Sequence, residues 1–337
     1  MKRRVTFSLG MLTFLGFFGI TMLTHAWAKD KATLILDWLP NGTHVGIFAA
    51  EDRGFYGRAN LQMKIPRGFG SGDTVKRLGA KGAEFGFADT PSAIVARSRG
   101  VMLKTVGVHF DKGMNAIYVL KSKGVKTPKD LEGMTFGDSA GGATNTLRPA
   151  FMQANGIKNY RLVPMSPATK HASLIAGKVD SIGTFIVNAR VIRNMARKKG
   201  NGIIMFPFSK YGVDVYGSGF HVPNDLIGQK PDLIRRFLKA TYGGIAWAVE
   251  NPEDAVALFM KRVPTRNRKS VRFEWNVTVD TLLTDFAKKE GIGHIDNKKM
   301  TYTIDTMTRL MKLPRQVAPS EMYTNRFLPK LFPKAPK

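Results

Sequence analysis

The sequence predicts an α/β protein of two lobes, each a mostly parallel sheet flanked by helices. Three observations carry that reading. Short β-prone runs alternate with helical stretches, a construction that gives parallel sheets covered by helices. Two such sets occur, before and after about residue 120. The chain has 337 residues, enough for about two domains.

The elements follow in order. Residues 32–37 form a β-prone run, and Pro40-Asn41-Gly42 is a turn signal. Thr43 can cap a helix to about Arg53, with Gly54 placed to end it. Residues 55–65 read as extended. Gly68, Gly70 and Gly72 surround the next turn, where Ser71 or Asp73 can cap a helix. Residues 84–88 are a strand. Asp89-Thr90-Pro91 then starts a helix, with Pro91 in the first turn, where its missing N–H costs nothing. Strands near 103–108 and 116–120 close the set.

The second set repeats the plan. A strand at 134–137 leads into a Gly-rich turn at 138–144 and a helix ending near Gly156. Residues 161–163 are extended, 167–177 helical, 179–183 a strand, 186–199 a helix and 203–206 a strand. Leu78 precedes Glu84 as Leu174 precedes Asp180, each by six residues, which echoes one lobe in the other. From Tyr211 the chain crosses back, and helices at 231–250, 252–260, 278–288 and 303–311 extend the first lobe. The expected division is 29–118 plus 215–337 for lobe I and 119–214 for lobe II.

Residues 1–28 read as a signal peptide. Lys2, Arg3 and Arg4 form a basic head, an apolar run follows to about Leu23, and Ala26-Trp27-Ala28 suits signal peptidase. This predicts an exported, periplasmic protein starting near Lys29. A retained anchor is the alternative. The chain has no cysteine, which excludes disulfides, thiolate nucleophiles and Cys-type metal sites. The net charge is +27. The basic residues are scattered rather than gathered in a nucleic-acid module, so no nucleic-acid partner is expected. An anionic small molecule or a plainly solvated basic face fits the charge as well.

In a doubly wound sheet, ligands bind beyond the carboxyl ends of the strands. The turns there supply the candidate site. Trp38 offers a flat stacking face, and Asn41 and His44 can exchange hydrogen bonds. Ser71 stands in the next turn, and Asp89 begins the third. In the second lobe Ser139, Gly141, Gly142, Thr144 and Asn145 make a small-residue turn that allows close approach to backbone N–H groups. It is neither a Walker motif nor a dinucleotide fingerprint. Asn188 and, at the crossover, Tyr216 complete the set. Catalysis has little support: the six histidines form no H-E-x-x-H pair, and no Ser-His-acid order is evident. Asp37, Asp89 and Asp138 can gather near the cleft, but no metal site or cofactor is expected.

Leu36-Asp37-Trp38-x-Pro40-Asn41-x-x-His44-x-Gly46, then Gly54-Phe55-Tyr56 and Ala88-Asp89, resemble the thiamine-pyrimidine precursor (NMT1/THI5-like) family of periplasmic substrate-binding proteins. Phe237-Leu238-x-Ala240 and Asn251-Pro252-x-x-Ala255 match the wider group, which includes nitrate, taurine and alkanesulfonate binders. The resemblance implies a type II-like periplasmic-binding-protein fold with a ligand in the interlobe cleft. It implies an ABC permease and ATPase as partners, with no enzymatic role, and the chain is expected to act as a monomer. Trp38, Asn41, His44 and Asn188 would line the pocket. One departure stands out. The family commonly has a glutamate after that asparagine, whereas Ala189 and Arg190 follow here. A pyrimidine-like ring and an anion such as a sulfonate, nitrate or aromatic carboxylate therefore both remain candidate ligands. The pyrimidine-synthesising enzymes of the superfamily carry a cysteine cluster, which this chain lacks.

Overall fold

Ten strands build two sheets of the same plan in a computed structural model that describes residue 1 and residues 28–334. The expected signal peptide lies almost wholly outside the described residues. The strands are β1 (Asp30–Ile35), β2 (Leu61–Lys64), β3 (Phe85–Asp89), β4 (Leu103–Val108), β5 (Asn115–Leu120), β6 (Thr135–Asp138), β7 (Arg161–Pro164), β8 (Ser181–Phe185), β9 (Ile203–Pro207) and β10 (Ser218–Pro223). The first sheet has the order β2-β1-β3-β10-β4 and the second β7-β6-β8-β5-β9. In each, the first three strands run parallel. The first strand after a crossing inserts antiparallel to both its neighbours. The sheets are therefore mixed, with one reversed strand apiece, and helices flank them.

Pairing locates the crossings. β5 belongs to the second sheet along its whole length, so the outward crossing falls at 109–114, before the expected boundary at 118. The return falls at 208–217. The sequence echo has a physical counterpart. Glu84 accepts the backbone N–H of Thr33 on β1 at 2.8 Å, and Asp180 accepts that of Thr135 on β6 at 2.9 Å. In each lobe the acid before the third strand ties it to the first.

Two local expectations change. Residues after Gly54 are not extended at once: Gly54 at φ 73° turns the chain into a helical turn, Phe55–Arg58, before β2. The turn at 42–44 is capped by Asn41 rather than Thr43. The helix Val45–Asp52 crosses Pro231–Glu250 closely, because a Cβ on Gly46 would meet Ile245 at 2.8 Å. On the other side, one apolar cluster joins Ile94 and Val108 to Leu147, Phe151 and Phe206, with Ile304 and Met307 of the helix Asn297–Met311 sealing it. The lobes are thus joined by core packing behind the cleft.

Candidate functional site

The turn after β1 is built from its own side chains. Asn41 Oδ1 accepts from Thr43 N at 2.8 Å and from Thr43 Oγ1 at 2.7 Å, closing the short 3-10 turn Gly42–His44. This commits the Asn41 carbonyl to the fold. Asn41 N donates to His44 Nδ1 at 3.2 Å, which places the imidazole proton on Nε2. That Nε2 donates to Asp37 Oδ1 at 2.9 Å, and His44 itself is fully buried. His44 therefore aims the Asp37 carboxylate and does not reach the cavity. From behind, Glu274 on the helix Arg268–Leu282 accepts Gly42 N–H at 2.6 Å and pairs with Arg266.

A small cavity lies between the lobes. Asp37, Trp38, Asn41 and Ser71 line it from the first lobe. Gly142, Ala143, Thr144, Lys170, Thr184, Phe185 and Asn188 line it from the second. Thr144 Oγ1 donates to Asn115 Oδ1 at 3.0 Å, and Asn188 Nδ2 donates to Thr184 Oγ1 at 2.9 Å, so Asn188 keeps its carbonyl as a spare acceptor. Lys170 Nζ bonds Asp138 Oδ1 at 2.9 Å and sits 4.9 Å from the Trp38 ring centroid. The lobes also touch beside the cavity, where Gly72 N donates to Gly141 O at 2.9 Å. The structure is a closed form.

Of the twelve residues expected at the site, Trp38, Asn41, Ser71, Gly142, Thr144 and Asn188 line this one cavity. The other six stand elsewhere. His44 lies one layer behind. Asp89 is buried behind Ser71, whose Oγ accepts its N–H at 3.0 Å, and caps the helix Thr90–Ser98. Ser139 is buried beside Asp138, whose Oδ1 accepts its N–H. Gly141 serves the interlobe contact. Asn145 bonds back to Ala140 O at 2.9 Å. Tyr216 is in the core, its OH accepting from Asp296 N. Arg190 does not line the cavity either: its guanidinium lies 5.9 Å from the Phe273 ring.

Sequence reasoning missed Ala143, Lys170, Thr184 and Phe185 and left Asp37 without a binding role. The repeat held a signal for Lys170. Ser71 opens the helix before the third strand of its lobe, and Lys170 opens the equivalent helix in the other. Among the described residues, no cluster of three or more His, Asp or Glu side chains could hold a metal.

Buried titrating groups around the site set an acid sensitivity. Burial, then the neighbouring His44, pushes His109 down to about 3, and burial pushes His221 down to about 4. Both stay neutral in the fold, whereas an unfolded imidazole takes its proton near 6.5. Their stabilisation is full above 6.5 and is lost as pH falls toward 4. Asp89 acts oppositely. Burial raises it to about 6, so its contribution is present below the usual carboxylate range and lost as pH rises through 6. Burial, then the Lys170 charge, pushes His171 down to about 4 as well, while burial raises the Glu274 carboxyl. The three imidazoles outweigh the two carboxyls, so the urea midpoint should fall between pH 6.5 and 4. Asp89→Asn should steepen that fall, and a flat profile would contradict the assignment.

Comparison with known proteins identifies the fold and the family. A formylaminopyrimidine-binding protein of Halalkalibacterium halodurans is 23% identical over 69% of this chain and 71% of its own. A 4-amino-5-hydroxymethyl-2-methylpyrimidine phosphate synthase of Legionella pneumophila is 24% identical over 89% and 93%. The periplasmic aliphatic sulphonate binding protein of Escherichia coli superposes with a TM-score of 0.65 at 15% identity, covering 87% of this chain and 91% of that one, which establishes the shared two-lobed fold. The family model described as NMT1/THI5 like matches residues 41–255. This chain belongs to the NMT1/THI5-like family.

Proposed function

We propose that this chain is the solute-binding component of an ABC importer, exported to the periplasm, capturing a small planar heteroaromatic molecule of the pyrimidine type between its lobes. The observation that carries this reading is the closed cavity, where an indole face and a carboxylate from one lobe meet hydrogen-bonding groups from the other. Trp38 covers the flat part of the ligand. Asp37 Oδ1 is taken by His44, which leaves Oδ2 to accept a ring N–H or amino group. Asp37 thereby supplies the acceptor that the family's glutamate provides elsewhere. Asn188 adds a second acceptor. Closure removes water and strengthens each contact. A permease reads the closed form, whose population rises only through the ligand's preference for it. Relatives in the family support the pyrimidine class, one binding formylaminopyrimidine and another making a pyrimidine phosphate. The same family placement keeps a synthase reading in view, and turnover of a tight ligand by the purified chain would favour it.

The test is a thermal-shift and calorimetric screen of the purified protein against pyrimidines, flavins and sulfonates. Trp38→Ala should weaken a pyrimidine hit by about 2 kcal/mol, roughly 30-fold in Kd. A response confined to aliphatic sulfonates would sink the pyrimidine reading.

A further inference from the structure

The two walls of the cavity carry opposite charge. On the first lobe, Asp37 is 3% exposed, and among the described residues the one side chain bonded to its carboxylate is the His44 imidazole. Glu274 nearby is already matched by Arg266. Asp89 adds negative charge on the same side when ionised. On the second lobe the balance reverses. Asp138 faces two cations, Lys170 at 2.9 Å and Arg148 at 3.8 Å, and all three side chains are buried. Arg148 is 4% exposed, and among the described residues its Nε and Nη1 have no hydrogen-bond partner. One positive charge is left without a carboxylate.

The same wall carries the start of the helix Ala143–Ala154. No side chain caps it. Gly142, Ala143 and Thr144 line the cavity there, and first-turn N–H groups have no intrahelical acceptor. The helix dipole adds to the positive field of Lys170 and Arg148. Asp138 lies close to this turn and offsets only part of it.

Resting on the reading of this cavity as the ligand site, we infer that the ligand is bipolar: a planar ring with an N–H donor edge held by Asp37 and an anionic substituent, carboxylate or phosphate, held by Lys170 and the start of the helix Ala143–Ala154. Such a molecule joins the lobes, because each wall holds one end. A neutral ring satisfies only Asp37, and a ringless anion only Lys170. Neither bridges the gap with matched charge, so neither stabilises the closed form as fully.

Calorimetry on the purified protein tests this with three probes on one ring: 4-amino-5-hydroxymethyl-2-methylpyrimidine, its phosphate monoester and the corresponding 5-carboxylate. The phosphate or the carboxylate should bind roughly 30-fold tighter than the neutral alcohol. Lys170→Gln should erase that preference, bringing the three affinities together. Lys170→Arg should retain most of it, which guards against a folding defect in the glutamine variant. Asp37→Asn should weaken all three probes alike. Equal binding of neutral and anionic probes, unaltered by Lys170→Gln, overturns the bipolar assignment and leaves the capture role standing. Binding of none of them overturns both.

Discussion

Alanine at Gly70 is expected to abolish tight ligand capture while leaving a folded protein. Gly70 precedes the helix Ser71–Gly79 with φ 132° and ψ 154°, a backbone region open in practice only to glycine. A Cβ there would overlap the carbonyl of Gly141 on the opposite lobe. The neighbouring Gly72–Gly141 hydrogen bond depends on the same close approach. The substitution therefore acts twice. Strain at an ε-region residue costs about 1–3 kcal/mol in either form. The overlap adds a penalty that only the closed form feels. Affinity should fall by roughly 100-fold or more, beyond what the strain alone explains. Small-angle scattering should show the wild type contracting on adding ligand and the variant staying open. Gly141→Ala is the milder comparison, since its Cβ would meet Asp73 at 3.2 Å, a fit that small shifts can absorb. Wild-type affinity in the Gly70 variant would mean that this closed arrangement is not the ligand-bound one.

Much of this architecture was legible because it is local. The turn at Asp37–His44 has its own cap, its own imidazole clamp and its own glycine, so its motif predicted a functional corner. The β–turn–α alternation likewise marked two lobes. What escaped depends on pairing across sequence distance. β5 and β10 insert antiparallel between strands from other parts of the chain, and nothing in their own residues reports that partner. Roles within the site also escaped. Asn41 and His44 carry the right chemistry for a ligand, but each spends it on the backbone or on Asp37. Asn145 lies one residue beyond Thr144, and the helix rotates it out of the cavity toward Ala140. Arg190 hinted at an anion site, yet the positive charge at the cavity comes from Lys170, which only the second lobe's equivalent of Ser71 pointed to.

Removing the Glu274 side chain should destabilise the molecule by about 3 kcal/mol, because it would orphan two partners at once. Glu274 is fully buried, accepts the Gly42 N–H at 2.6 Å and pairs with Arg266. Burial raises its pKa, and the Arg266 guanidinium and the Gly42 N–H pull it back, so the pair and the hydrogen bond offset the cost of placing a carboxylate there. In Glu274→Ala the Gly42 N–H loses its acceptor and Arg266 its counter-charge. The melting temperature should fall by roughly 5–10 °C. Glu274→Gln retains an acceptor for Gly42 and should cost about 1 kcal/mol. The binding consequence separates this from a generic core defect. Glu274 braces the turn whose His44 orients Asp37, so the alanine variant should lose affinity for any ligand that donates to Asp37, at temperatures well below its melting point. Unchanged affinity in a measurably destabilised variant would show that the turn holds Asp37 in place without this brace.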